Sequence, residues 1–406
     1  MNTFFKKPFG YKEAFLFSFI FPVIGFFSEI LSESNGILIP KAPYNIHIIL
    51  GIIILIVFTH LFLVKLYFFK WLSTAPIAIA NICCTAFLVL LMAIIPQLQN
   101  NPSGLVKILG LSHMSKNWAL ILSGFFLLYT LGLVILRRFQ KFNVKNIVFF
   151  LNHAGLWIII AVAGLGSGDL SRLSIYVWEN SQPEWRAGDG KNSYELPIAI
   201  KLIDFEIDEF NPELALVENA TGNVIIDEDN KIQMIENGGI YYLHEFKIIV
   251  EDFYELAMRI DTNYIEFYDV GATPAAKIAV YDKYDNLIVR DWISAENYMM
   301  SPKLVWASNK YSIGLLPPEP KKFSSKVELF AQDGTKKEAV IEVNKPVNFK
   351  GWKIYQLSYD ESKGRWSEVS VLELVRDPWI PVVYVGVFMV LFGAIYLFWI
   401  GKKSKE

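Results

Sequence analysis

Two histidines sit inside apolar stretches long enough to cross a bilayer. His153 lies in Ile147–Leu165, IVFFLNHAGLWIIIAVAGL, and His60 lies in Ile46–Val64. An ionisable or ligating side chain in hydrocarbon is costly, which makes each a candidate functional residue. Counted from the cytoplasmic ends of their spans, both imidazoles stand roughly 6–9 Å deep at about 1.5 Å per residue. Neutral imidazole ligates iron, so two rings at matched depth could form the axial pair of one metal, provided that their helices are neighbours. The competing reading for His153 is a hydrogen bond to a backbone carbonyl of a neighbouring helix. His47, at the outer end of its span, and His113, in an outer loop, read as interfacial. His244 reads as a strand residue.

Other chemistry is scarce. The chain has no C-x-x-C-H, no P-loop, no G-x-G-x-x-G and no H-E-x-x-H. It is therefore not itself a c-type cytochrome, and the motifs for nucleotide binding and zinc proteolysis are missing. With 5 histidines scattered over 406 residues, no Ser/His/Asp or Cys/His set assembles. Cys83 and Cys84 are the only cysteines and share an apolar segment, so they read as packing residues without a disulfide framework.

The elements that must hold the histidines are legible from hydropathy. The chain is 53% hydrophobic with mean hydropathy +0.34, too apolar for a soluble protein of this size. Six apolar segments are long enough to span: Phe15–Leu31, Ile46–Val64, Ala75–Ile95, Trp118–Leu136, Ile147–Leu165 and Val382–Ile400. No small-residue cleavage pattern follows the first, so a removed signal peptide is not expected. Placing the N-terminus in the cytoplasm gathers Lys6, Lys7, Lys12, Lys65, Lys70, Arg137, Arg138, Lys141, Lys145, Lys402, Lys403 and Lys405 on that side. Only Lys41, Lys107 and Lys116 fall in the short outer loops. That bias sets the orientation, with both termini inside and Ser167–Trp379 outside. Glu29, near the outer end of the first span, is expected to be wetted.

Charge divides the chain the same way. Ser167–Trp379 holds 36 acidic and 23 basic residues, whereas the remainder holds 4 acidic and 15 basic. An acidic ectodomain on a basic membrane region argues against nucleic-acid binding. Within the ectodomain, short alternating runs such as Pro197–Phe205, Gly239–Val250, Lys277–Tyr281, Leu287–Trp292, Lys326–Phe330, Ala339–Val343 and Trp352–Leu357 read as strands. Turn signals separate them, among them Asp227–Asn230 and Gln332-Asp333-Gly334. The expected fold is an integral membrane protein of six transmembrane α-helices. A large β-rich extracytoplasmic domain, sandwich- or barrel-like, separates helices five and six. The expected division is 1–70, an extra two-helix segment; 71–166, a three-helix core; 167–379, the β-rich domain; and 380–406, the last helix and tail. Leu315–Pro320 is expected to divide the β-rich domain into subdomains, Ala187–Leu315 and Pro320–Val375. Phe253–Tyr268 is ambiguous, and Ser167–Arg186 reads as an amphipathic surface helix or a linker helix.

Several stretches together resemble the ResB (CcsB) family of cytochrome c maturation, system II. Phe87–Gln97, FLVLLMAIIPQ, resembles the end of that family's first span. Ser115–Arg138 has its polar-Trp start and Arg-Arg close, and Asn152–Gly155 holds its His-x-Gly. Val343–Asp360, VNKPVNFKGWKIYQLSYD, is similar to its Val-Asn-x-Pro … Gly … Tyr-Gln … Tyr-Asp signature. The resemblance runs from about Leu72 to Trp399. Two departures stand out: Ala93-Ile94 replaces Gly-Thr before Ile95-Pro96-Gln97, and the first two spans are additional. His60 lies in that additional pair, so the resemblance assigns it no role.

The resemblance implies a function. Such proteins work with a CcsA/ResC-type haem-handling membrane partner, expected here as a separate chain. Together they carry haem b across the bacterial plasma (inner) membrane and position it for attachment to the CxxCH motif of apocytochrome c. The chain would then be a subunit of a holocytochrome c synthase, with haem transported and not kept. His153 would be the axial iron ligand, and His60 a second ligand only if the helices pack together. The rival reading is a structural anchor or apocytochrome chaperone that leaves all haem to the partner. A sensor is disfavoured by the short cytoplasmic tails. Gly351 is expected where a Cβ has little room, and Tyr355-Gln356 on a core strand.

Overall fold

The computed structural model describes residues 9–97, 102–139, 146–225 and 233–403, with side chains to residue 398. Lys6, Lys7, Lys141, Lys145 and Lys405, and the Asp227–Asn230 turn, lie outside the described residues. The chain divides into two compact units: Met1–Leu170 with Asp377–Glu406, and Ser171–Arg376.

The first unit is helical. Its helices are α1 (Tyr11–Leu31), α2 (Tyr44–Phe58), α3 (Tyr67–Trp71), α4 (Ala75–Ile94), α5 (Gly104–Ile108), α6 (Trp118–Phe139), α7 (Ile147–Gly166) and α8 (Ile380–Lys403). A π-turn, Thr59–Leu63, extends α2. Six helices are long and apolar enough to cross a membrane: α1, α2 with its π-turn, α4, α6, α7 and α8. The two helices that precede the family-like region are built into the bundle. Phe21 of α1 stacks on Phe126 of α6, ring centroids 4.0 Å apart, and Ile52 and Ile56 of α2 are buried in the same core. Small residues set the α7–α8 packing, because without side chains between them two helix backbones can approach closely.

Glu29 overturns its expectation, for it is 0% exposed. Its carboxylate accepts hydrogen bonds from the backbone N–H of Gly36, at 3.0 Å, and of Trp118, also at 3.0 Å. Trp118 opens α6, so a buried carboxylate is tolerated where orphan N–H groups and the helix dipole favour negative charge. Gln97 closes the same end of the bundle. Its amide donates to the carbonyls of Met92, Ile95 and Leu111 and accepts from the Met114 N–H. The Ile95-Pro96-Gln97 element is thus a clamp on backbone groups that a chain reversal leaves without partners. His113 is held there by Ser112 Oγ and the Ser34 carbonyl.

The second unit is all β. It begins with β1 (Ser171–Trp178), β2 (Glu184–Gly188) and β3 (Ser193–Glu209). It continues through β4 (Glu213–Glu218), β5 (Gln233–Met234), β6 (Ile240–Leu243), β7 (Phe246–Ile260), β8 (Asn263–Glu266), β9 (Thr273–Tyr281), β10 (Leu287–Ser294), β11 (Val305–Trp306) and β12 (Tyr311–Leu315). It ends with β13 (Pro320–Ala331), β14 (Lys336–Glu342), β15 (Val347–Phe349), β16 (Trp352–Tyr359) and β17 (Val369–Arg376). An 8-stranded antiparallel sheet runs β14-β13-β3-β2-β1-β17-β16-β15. Its edges approach each other, with Lys337 of β14 donating to the Asn348 carbonyl of β15 at 3.3 Å, so the sheet is a nearly closed barrel. The inward residues alternate along each strand, for example Trp352, Ile354 and Gln356 on β16. Strands β4–β12 form an insert of two facing sheets, β10-β9-β7-β6 with β8 on β7, and β11-β12-β4-β5. Leu214, Leu216, Ile313 and Leu315 from one sheet pack on Ile248, Val250, Ile278 and Val280 from the other.

Two β-region expectations are corrected and one ambiguity is resolved. Ser167–Arg186 is not a surface helix. Its alternation of Leu173, Ile175 and Val177 points into the barrel from β1, a period of two and not of 3.6. The subdomain boundary lies between β3 and β4, not at Ala187, because β3 pairs along its length with β13. The Leu315–Pro320 connector is where the chain returns from insert to barrel. Phe253–Tyr268 belongs to the β7–β8 hairpin.

Candidate functional site

The start of α4, the end of α6 and the start of α7 converge on a pocket of about 710 Å³. Ser73, Thr74, Ala75, Ala78 and Ile79 line one side; Val134, Arg137 and Arg138 line the second; Asn146, Phe149 and His153 line the third. The size lies within the ordinary range for small-molecule sites, and the wall is apolar deep in the spans and polar at the helix ends.

His153 is oriented from within its own helix. Its Nδ1 lies 2.9 Å from the carbonyl oxygen of Phe149, and its ring stacks on the Phe149 ring at 3.7 Å and 22°. The carbonyl partner is therefore one turn back on α7, not on a neighbouring helix. A carbonyl can only accept, so Nδ1 carries the proton, and in neutral imidazole Nε2 keeps its lone pair. A ring nitrogen tied to a backbone carbonyl is the usual way to fix which nitrogen is free to ligate.

Arg137 and Arg138 join the pocket, although in the sequence they served only for orientation and for the family resemblance. The Arg137 guanidinium donates to Ser73 O at 3.2 Å and Ser73 Oγ at 3.1 Å. Arg138 donates to Asn146 Oδ1 at 3.3 Å and stands 4.3 Å over the Phe149 ring. Their signal in the sequence is position: two arginines close the α6 span just before the short link to α7.

His60 lies in the π-turn and is 7% exposed. It does not line the His153 pocket. The π-turn is joined to α6 by a 2.9 Å hydrogen bond from Tyr129 to Thr59. Among the described residues, no group of three or more His, Cys, Asp or Glu side chains could hold a metal ion. Cys83 is exposed and Cys84 half-buried, so Cys83 is not the packed residue expected of it.

In the strand-rich unit the Val343–Asp360 stretch has a legible construction. Lys350 and Gly351 form a two-residue turn between β15 and β16, with φ of 48° and 81°. Positive φ at both positions is the turn that matches strand twist. A Cβ on Gly351 would meet nothing within 4 Å, so the glycine is required by its backbone angle and not by lack of space. Gln356 points into the barrel, where it bonds Ser325 at 2.6 Å and Ser370 at 3.0 Å; both serines are 0% exposed. The three side chains satisfy one another across β13, β16 and β17, as a buried polar group must.

Tyr359 ends the stretch on a second pocket, about 410 Å³, that also takes in Glu209, Pro274, Arg365 and Trp366. Glu209 and Arg365 form an ion pair at 3.3 Å. Burial pushes the Glu209 carboxyl up from its ordinary value, and the Arg365 guanidinium pulls it partly back. Burial likewise raises Tyr359. Trp366 fixes the loop between β16 and β17 to β9's approach, donating to the Ala272 carbonyl at 3.1 Å.

A comparison with curated proteins found no match. Residues 276–369 match the ResB-like family, a stretch that runs from β9 into β17 and contains the Val343–Asp360 signature. The match over that stretch, with six membrane-length helices and a β-rich unit around the signature, supports assignment to the ResB-like family, which is associated with cytochrome c biogenesis.

Proposed function

We propose that this protein carries haem through the membrane for cytochrome c maturation by system II, with the His153 pocket as its station on the cytoplasmic side. The observation that carries the reading is the Nδ1–Phe149 hydrogen bond beside a pocket of about 710 Å³. It leaves Nε2 as the nitrogen that would ligate iron. The donor set fits haem as a passing substrate: one imidazole, an apolar wall from Ala78, Ile79 and Val134, and arginines at the rim. Bound haem would supply the vinyl groups that react with the client's cysteines. The chain's own residues bind, orient and exclude water.

In this reading both termini are cytoplasmic, the strand-rich unit is outside a bacterial plasma membrane, and a CcsA/ResC-type partner receives the haem. The basic residues at the α6–α7 turn, and Lys65 and Lys70, support that orientation. The second axial ligand comes from the partner, because His60 does not line this pocket. Apocytochrome c meets the strand-rich unit.

The test is the visible absorption spectrum of the chain purified alone and with its partner. Haem bound by the isolated chain supports carriage. Haem found only in the partner supports the rival, an anchor or client chaperone. A reporter fused after Gln332 should be active only in its exported form; activity only in the cytoplasmic form would reverse the orientation.

A further inference from the structure

We infer that Arg137 and Arg138 form an anion seat at the mouth of the His153 pocket, and that it takes the carboxylates of a ring-shaped amphipathic ligand. The inference rests on the haem reading of the pocket and deepens it by assigning the propionate contacts to this chain.

The two guanidiniums are under-used. Each has five N–H donors in a rigid fork. The described partners are Ser73 for Arg137 and Asn146 for Arg138, all neutral acceptors. Every ion pair among the described residues lies in the strand-rich unit, so neither arginine is matched by a carboxylate there. Both are exposed at the rim of the pocket. Adjacent like charges at a helix end repel, and an incoming anion removes that cost while gaining charge-assisted hydrogen bonds.

The seat is also aimed. The Arg138 guanidinium lies over Phe149, and the same Phe149 ring stacks on His153. One aromatic ring therefore fixes the cation beside the imidazole. Arg137 is fixed to Ser73, just ahead of α4. Beyond the rim the wall turns apolar at Ile79 and Val134. A ligand that fills this space needs negative charge at one edge and an apolar body. A porphyrin dicarboxylate has that form. An anionic lipid headgroup offers the same charge without the ring.

The experiment uses the full chain in nanodiscs of zwitterionic phospholipid. Iron-free protoporphyrin and its dimethyl ester are titrated and binding is read from porphyrin fluorescence. Wild type should favour the diacid by about tenfold or more, the worth of one or two charge-assisted hydrogen bonds. Arg137→Gln/Arg138→Gln should bind both alike. Equal binding of diacid and ester by wild type overturns the seat, and so does a preference that survives in the Gln pair. If the Gln pair does not fold, Arg137→Lys/Arg138→Lys carries the test: the fork is lost, the preference should drop several-fold, and an unchanged preference overturns the inference. Anionic phospholipid that abolishes the wild-type preference when added to the nanodiscs overturns it in favour of a headgroup seat. Failure of the haem reading is separate: haem would then give no His153-dependent spectral change while the diacid preference persists.

Discussion

Gly155 and Gly386 bring α7 and α8 together backbone to backbone. A Cβ built on Gly155 would stand 2.7 Å from the Gly386 carbonyl oxygen, and one on Gly386 would stand 2.8 Å from that of Gly155. The seam continues at Gly393, against the Asn152 side chain, and at Gly166, against Trp379. Gly155 follows His153 by two residues, about 200° round the helix. Packing α8 on the glycine face therefore turns His153 to the other side, towards α4 and α6. Trp157, one turn beyond His153, agrees: its indole donates to the Leu128 carbonyl of α6 at 3.0 Å.

Gly155→Leu should therefore fail at the seam, not at the pocket. Overpacking against a backbone carbonyl costs on the order of 1–3 kcal/mol or more. The expected result is reduced folded protein in the membrane, with Gly155→Ala milder. Wild-type abundance of Gly155→Leu would show that the helices separate easily.

Gly351→Val should destabilise the strand-rich unit through the backbone angle. Positive φ with a β-branched side chain costs about 1–3 kcal/mol. Gly351→Asn should recover most of the loss, since Asn tolerates the left-handed region. Thermal unfolding of the purified chain separates the two; equal damage from Val and Asn would point to missing space instead of angle.

Glu209 should give the strand-rich unit a pH-dependent stability with a definite sign. Its carboxyl titrates above the ordinary 4.5 because burial disfavours the anion, partly offset by Arg365. The folded state then holds the proton more tightly than the unfolded state. This contribution is complete below about pH 4.5. It is lost as pH rises through the raised folded value. Glu209→Gln should flatten the slope in that window. A steeper slope in the variant would mean that the ion pair at 3.3 Å outweighs the burial.

Much of this was legible in the sequence because hydrocarbon leaves few options. Six long apolar runs could only be helices, and the β period was plain in Trp352, Ile354 and Gln356. The signature around Gly351 was visible, although its reason was not: a sequence shows a glycine but not its φ. Ser167–Arg186 misled because Leu173, Val177 and Trp185 fit a helical stripe as well as two short strands. Glu29 misled because burial depends on what chain folds over it, here Gly36 and Trp118. His153 stood out as the lone ionisable residue of its span. Its neighbours Arg137, Arg138 and Ser73 come from other helices, and no spacing rule links them. The pairing with His60 rested on equal depth, which says nothing about which helix faces are shared.

The central claim is that His153 Nε2 ligates haem during its passage. The most direct measurement is the visible spectrum of the purified chain titrated with haem, wild type against His153→Ala. Alanine suits a membrane helix, so folded protein should be normal. Removing the ring should shift the Soret band and weaken binding by about tenfold or more, and added imidazole should partly restore both. A variant whose haem spectrum and affinity match wild type, and which supports normal holocytochrome c assembly, would contradict the account.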